Sequence, residues 1–293
     1  MTEDEILAAA KASFLGRSPP RVWSMIVTIF GDVVVPRGGS VWLGTLLTLM
    51  ERIGIDGALV RTAMSRLATD GWVERSRVGR KSYYRLSASS LEMSRRAGEA
   101  IYAATEPAWN GSFRLLLRPE ANGGWRDDVK SKYGPLGFSP VSPNALVALG
   151  DAAAPADAIG TLLFDARPVD LAAARDVAER AWGGNALLAM RRSFVANFGP
   201  IRDEVVAGDE LSDEACLLLR LLMVHEWRRI VLKAPEFPAA LSTDPAAWGA
   251  AREVAASLWQ ACRGPSERWL DQHAASEDGP FPVVENGFNS RFQ

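Results

Sequence analysis

The stretch DGALVRTAMSRLATDGWVERSRVGRKSYYRLS, from Asp56 to Ser87, constrains the chain most. Its pattern predicts a capped helix followed at once by a two-stranded hairpin. Asp56 stands where its carboxylate can accept the N–H groups of a first helical turn. Val60, Ala63, Met64 and Leu67 share one side of that helix, and Arg61, Thr62, Ser65, Arg66 and Thr69 share the other. Asp70-Gly71 stops it. Two runs then flank a turn at Gly79. Trp72, Val73, Tyr84 and Leu86 are suited to hold this hairpin against helices, while Arg75, Arg77, Arg80 and Lys81 crowd its tip.

Upstream, RVWSMIVTIFGDVV places Val22, Met25, Ile26, Ile29, Phe30 and Val33 on one helical face. PRGGS breaks the chain, with Ser40 in position to cap a second helix that buries Leu43, Leu46, Leu47, Met50 and Ile53. Gly54 supplies a sharp turn into the third. Helix, short Gly-containing turn and helix make a helix-turn-helix pattern, and the basic hairpin completes a winged helix. The polar face of the third helix is small, hydroxylated and basic, so it can approach a duplex closely. Arginine meets a guanine edge with two hydrogen bonds, and Ser or Thr suits phosphates and bases alike. Four like charges within seven residues at the hairpin tip repel one another, a repulsion that a phosphate backbone relieves with release of counterions. Ser82 and Tyr83 flank them with hydroxyls. The other use of such a module, binding protein, would not need so many exposed arginines.

Charge is distributed to the same effect. The 293-residue chain has net charge −2, which argues against a protein that coats nucleic acid generally. Residues 52–96 nevertheless carry ten Lys and Arg against four Asp and Glu. A basic patch on an acidic chain is the footprint of a localised anionic partner. The two cysteines, Cys216 and Cys262, fit no metal or redox spacing and read as buried thiols of a cytoplasmic protein. No run reaches the roughly 18 apolar residues of a membrane span. The start, MTEDEILAAAKASF, has no signal-peptide pattern and reads as a partly ordered helical arm.

The expected architecture is α+β and multidomain. A winged helix-turn-helix with its N-terminal arm occupies residues 1–88, and a helical linker 89–110. Residues 111–184 form a central ferredoxin-like α/β domain of order β-α-β-β-α, from FRLLLRP, WRDDVKSKY, NALVALG, GTLLFDA and PVDLAAARDVAERAW. A helical C-terminal domain spans 185–274, and 275–293 is a polar tail, an arm or disordered.

Enzymatic and metal readings fare poorly. The segment His225-Glu226-Trp227-Arg228-Arg229 lacks the second histidine that a zinc-protease helix needs at position 229, and two histidines in the whole chain leave no multi-histidine metal site. No phosphate-binding Gly-rich loop or serine-nucleophile elbow occurs. Asp127-Asp128 raises a metal-dependent nuclease in the central domain. Such a site would put an acid at the end of the first strand, where Arg118 stands instead, so the pair reads as a solvated face.

Three segments carry a family resemblance: TIFGDVVVPRGGSVWLGTLLTLMERIGI, ALVRTAMSRLATDGWVERSRVGRKSYYRLS and LLRLLMVHEWRRIVLKAPEFPAAL. They are similar to the phenylacetate-catabolism repressors, the PaaX family, through about residue 110 and again over 215–241. The resemblance implies a bacterial repressor with no catalytic residue or resident cofactor, binding double-stranded operator DNA as a homodimer and released by an aryl-CoA thioester, typically phenylacetyl-CoA. It places the reading helix on Arg61 to Thr69 and the wing on Arg75 to Tyr84. Arg191 and Arg192, or Arg228 and Arg229, are then the cations for the phosphates of a CoA-type effector. His225 and Trp227 stand beside the second pair and also read as a polar junction between domains.

Overall fold

The computed structural model describes residues 1–16, 22–118, 132–155, 160–208, 211–234, 237–285 and 287–293. They form a mixed α+β protein of two compact units. The first comprises Met1–Ala104, Ser193–Leu232 and Ala251–Gln293, and the second Thr105–Arg192 and Lys233–Ala250.

In the first unit the chain opens with α1 (Glu3–Leu15), whose N-cap Thr2 and Glu5 exchange hydrogen bonds in a capping box. This segment is no arm. Ile6, Ala10 and Phe14 are buried, and Glu3 accepts hydrogen bonds from the backbone and hydroxyl of Ser212. Next comes α2 (Val22–Ile29), continued by a wider π-helical turn over Phe30–Val34. Then follow β1 (Ser40–Trp42), α3 (Leu43–Ile53), α4 (Gly57–Thr69), β2 (Val73–Val78), β3 (Lys81–Leu86) and α5 (Ala88–Ile101). Ser40 therefore caps nothing: it begins a strand, and Trp42 precedes α3 without a side-chain cap. Extended backbone is preferred because Ser40, Val41 and Trp42 pair with Arg85, Tyr84 and Tyr83. On α3, Leu49 is buried while Leu43 and Leu47 are only partly so.

In the second unit β4 (Phe113–Leu117), β5 (Ser139–Ser142), β6 (Ala145–Leu149) and β7 (Leu162–Ala166) form an antiparallel sheet of order β5-β6-β4-β7. β5 is a strand that the sequence pattern did not mark. β6 is apolar on both sides and buried throughout. Val147 and Leu149 join Phe113 under α6 (Leu171–Trp182), whereas Leu146 and Ala148 join Leu116, Tyr133 and Phe138 on the opposite face. α6 follows β7, the position that the order β-α-β-β-α gives it. The expected first helix and the Asp127-Asp128 pair lie largely or wholly outside the described residues.

The remaining helices are α7 (Gly184–Ala207), α8 (Asp213–Val231) and α9 (Pro245–His273). Of these, α8 lies wholly in the first unit and is its axis, buried on nearly every side. A helix apolar all round must be enclosed by others, and its polar members must then find partners. Arg220 does. Its Nε donates to Asp32 Oδ2 at 2.8 Å and its Nη1 to Glu267 Oε1 at 2.6 Å, with Arg220 and Asp32 both fully buried. Tyr102 donates to the other oxygen of Asp32 at 2.6 Å, and Arg291 reaches that oxygen at 3.0 Å. Burial by itself would push the Asp32 carboxyl up. The guanidinium groups of Arg220 and Arg291, with the Tyr102 hydrogen bond, hold it below the usual carboxylate range.

Arg291 belongs to the C-terminal segment, which folds back on this unit. Its backbone bonds Phe292 N–H to Tyr102 O and Glu285 N–H to Pro36 O. Phe288 and Phe292 pack on Trp259.

Removing one member of a buried ion pair strands the other. Asp32→Ala should therefore lower unfolding free energy by about 3–5 kcal/mol, measured by urea titration at neutral pH. Because the folded pKa of Asp32 lies below its unfolded value of about 3.9, its contribution is complete above that pH and disappears as pH falls through the folded value. Stability of the Asp32→Ala protein should accordingly depend less on acid.

Candidate nucleic-acid interface

Helix α4 is held by both ends and by its apolar side. Asp56 accepts the Ala58 N–H at 2.7 Å, and Gly54, at φ 106°, closes the end of α3 so that only Gly54, Ile55 and Asp56 separate the helices. A positive φ of this size favours glycine. Val60, Met64 and Leu67 are buried, whereas Arg61, Thr62, Ser65, Arg66 and Thr69 are all exposed. The two threonines bond back to Ala58 O and Ser65 O, each one turn earlier.

The hairpin turn at Gly79-Arg80 begins with Gly79 at φ 59°, as a two-residue hairpin requires. Val73, Tyr84 and Leu86 are buried at its foot, as expected. Pairing then divides the basic side chains between two faces. Arg75 lies opposite Tyr84 and Arg77 opposite Ser82, while Lys81 lies opposite Val78 on the other face. Arg75 donates to Ser82 Oγ at 2.8 Å, and the Lys81 ammonium sits 4.6 Å from the centre of the Trp42 ring. Tyr83 faces Trp42 across the sheet and is only 6% exposed, so it belongs to the packing of the hairpin and offers little to a surface partner. Arg85, which the sequence pattern did not single out, bonds Glu277 at 2.9 Å.

What distinguishes this surface is the state of its cations. Among the described residues, Arg61, Arg66, Arg77 and Arg80 make no hydrogen bond or ion pair with protein, and all four are exposed. A guanidinium with five donors and no acceptor is available to phosphates or base edges.

The other six candidates fall in two units. Arg191 and Arg192 belong to the second unit. Arg191 is buried, ion-paired with Glu106 at 2.8 Å, bonded to Trp248 O and stacked 4.0 Å over the Trp248 ring. Arg192 pairs with Asp244 at 2.8 Å. The HEWRR segment belongs to the first unit. His225 Nδ1 lies 2.9 Å from the hydroxyl of Thr28, with its ring edge-on to Phe14. Trp227 donates to Ile101 O at 2.8 Å. Arg229 reaches Glu226, whereas Arg228 donates to Ser24 O at 3.0 Å and Thr28 Oγ1 at 3.1 Å. Among the described residues no group of three or more His, Cys, Asp or Glu is arranged to hold a metal, and no helix is long and apolar enough to cross a membrane.

Two family descriptions match, "PaaX-like protein" over residues 21–90 and "PaaX-like protein C-terminal domain" over residues 182–272. The transcriptional repressor PaaX of Escherichia coli (strain K12) is 32% identical over 283 residues, 92% of this chain and 89% of that protein. The chain belongs to the PaaX family. The first family match contains all of α2, α3, α4 and the β2–β3 hairpin, and the second contains α8 and most of α9. Among solved structures, an uncharacterized protein from Mycobacterium tuberculosis aligns with a TM-score of 0.47 and 22% identity, over 77% of this chain and 88% of that one.

Loss of the Asp56 cap tests how α4 is held. Asp56→Ala should cost about 1 kcal/mol of stability, read from a denaturant midpoint that shifts without a change in slope. An unchanged midpoint would mean that tertiary contacts alone position the helix.

Proposed function

We propose that this chain is a transcriptional repressor of an aromatic, phenylacetate-type catabolic operon, working in the cytoplasm and free of catalytic activity of its own. It binds operator DNA as a homodimer through an N-terminal winged helix-turn-helix, and it carries in addition a ferredoxin-like domain and a helical C-terminal domain. Helix α4 enters the major groove, with Arg61 and Arg66 at base edges and Thr62, Ser65 and Thr69 close to the duplex. Arg75, Arg77, Arg80, Lys81 and Ser82 grip phosphates. The observation that carries this reading is the set of exposed arginines on α4 and the hairpin that have no protein partner among the described residues, in a family whose Escherichia coli relative is a repressor.

Two such modules related by a two-fold axis meet half-sites about one helical turn of DNA apart, or a multiple of it. Release follows if an aryl-CoA thioester binds the DNA-incompetent dimer more tightly than the competent one. Of the arginines that could meet that effector, Arg191, Arg192 and Arg229 have carboxylate partners of their own, and His225 and Trp227 are committed to packing. Arg228 differs, since its acceptors among the described residues are all neutral oxygens of α2.

The test is a mobility shift on DNA from upstream of the protein's own gene, over a salt series. Arg61→Ala and Arg66→Ala should each weaken specific binding by about 1–3 kcal/mol. Arg80→Ala combined with Lys81→Ala should weaken all duplexes alike and flatten the salt dependence by roughly 0.9 for each phosphate no longer neutralised. A salt slope equal to the wild type in the double variant would refute the wing assignment.

A further inference from the structure

The C-terminal segment brings two acids to the edge of the basic surface. β8 (Ala275–Ser276) and β9 (Gly279–Pro280) form a small hairpin whose turn is Glu277-Asp278. β8 lies against β1, and the Ala275 N–H donates to the Thr45 hydroxyl of α3 at 3.4 Å. Ala274, Ser276 and Phe281 are buried on either side of the turn, and Arg37 donates to Pro282 O at 3.0 Å. The turn is therefore fixed against the winged sheet by its flanks.

Glu277 uses that position to reach Arg85, 192 residues earlier in the chain, with 2.9 Å between Oε2 and Nη2. Arg85 shares one face of β3 with Lys81 and Tyr83, since alternate residues of a strand point the same way. It stands about 13 Å along the strand from Lys81, and its side chain is 51% exposed. In exposure it is like Arg61, Arg66, Arg77 and Arg80. It differs from them in having a carboxylate. Glu74, opposite it across the sheet, and Asp278, beside Glu277, make no bond to it among the described residues. A guanidinium closed on a carboxylate has its charge and its donors already in use, and the carboxylate itself repels a phosphate.

We propose that Glu277 is a counter-charge that withholds Arg85 from DNA phosphates, and so sets how tightly the chain holds a duplex without altering which sequence it prefers. This rests on the repressor reading given above and adds to it a residue outside α4 and the hairpin tip. Contacts to phosphate position a protein and carry no sequence information directly, so withholding one weakens the grip on every duplex alike. Non-specific DNA competes for a regulator at very many sites, and a limit on that grip lets the protein leave them.

The full-length protein is titrated over a salt series with DNA from upstream of its own gene and with an unrelated duplex of equal length. Glu277→Gln should tighten both about threefold or more at low salt and steepen the salt slope by about 0.9, the value of one added phosphate contact. Arg85→Ala alone should leave both affinities within about twofold of the wild type, since a withheld cation has no phosphate contact to lose. Arg85→Ala combined with Glu277→Gln should abolish the gain. Asp278→Asn makes the same change of net charge without releasing Arg85, and should steepen the slope far less. An exposed ion pair contributes little to stability, so melting temperatures should match, and Glu277→Ala repeats the measurement with a second side chain. Binding equal to or weaker than the wild type in both Glu277 variants, a gain that persists without Arg85, or an equal gain in Asp278→Asn overturns the counter-charge. Any of these results with a wild type that binds DNA leaves the repressor reading intact. A wild type that binds no duplex overturns that reading and this one with it.

Discussion

The buried pair of Asp32 and Arg220 fixes the first unit. Taking both charges out of water costs several kcal/mol for each ion, and their attraction offsets this only if the remaining donors and acceptors are also satisfied. Here they are. The two Asp32 oxygens receive Arg220, Tyr102 and Arg291, and the second limb of Arg220 goes to Glu267, which also accepts from Arg37. Those residues come from the turn after α2, the end of α5, α8, α9 and the C-terminal segment. The π-helical turn at Phe30–Val34 sits where Asp32 enters this cluster. Apolar helices could slide past one another with small losses. A cluster that strands a charge when any member shifts does not permit that.

The same rule separates the inside of this unit from its outer surface. The most deeply buried cations of the unit are matched: Arg37 with Glu267 and Asp271, Arg220 with Asp32 and Glu267. Those on α4 and at the hairpin tip are not, because the acids nearest them in sequence are used elsewhere or too few. Asp56 is taken up by the cap of α4. Glu74 lies across the sheet from Arg85, whose bond goes to Glu277. A surface made of arginines without acids is unfavourable alone and favourable against a polyanion. The structural interior can thus be electrically complete while the proposed interface is left open.

How much of this was legible in the sequence depends on the range of the interactions. The cap at Asp56, the split faces of α4, the stop at Asp70-Gly71 and the hairpin at Gly79 are local, and periodicity reports local geometry. Ser40 misled because a pairing with Arg85, 45 positions away, outweighed a plausible cap. Tyr83 misled because β3 is paired on both edges, and the added neighbour β1 sets Trp42 beside the Tyr83 ring. Cys216 and Cys262, which fit no spacing rule, are buried free thiols, as such isolated cysteines suggest. The deepest feature did leave a trace. IVTIFGDVVV contains one acid and ACLLLRLLMV one base, each alone in an apolar run. A lone charge in such a run needs a distant partner of opposite sign, and these two are each other's.

Arg220 and Arg228 sharpen the difference between a charge held by carboxylates and one held without them. They stand on one helix, eight residues or about 12 Å apart along its axis, and both face α2 or the turn that follows it. Arg220 has two carboxylates, a fully buried setting and aromatic rings of Trp259 and Phe288 beside it. Arg228 has, among the described residues, three neutral oxygens and partial exposure. Its place in the last turn of α8 sets its charge against the negative end of that helix, so it is held there by the helix and by neutral acceptors and not by a buried carboxylate.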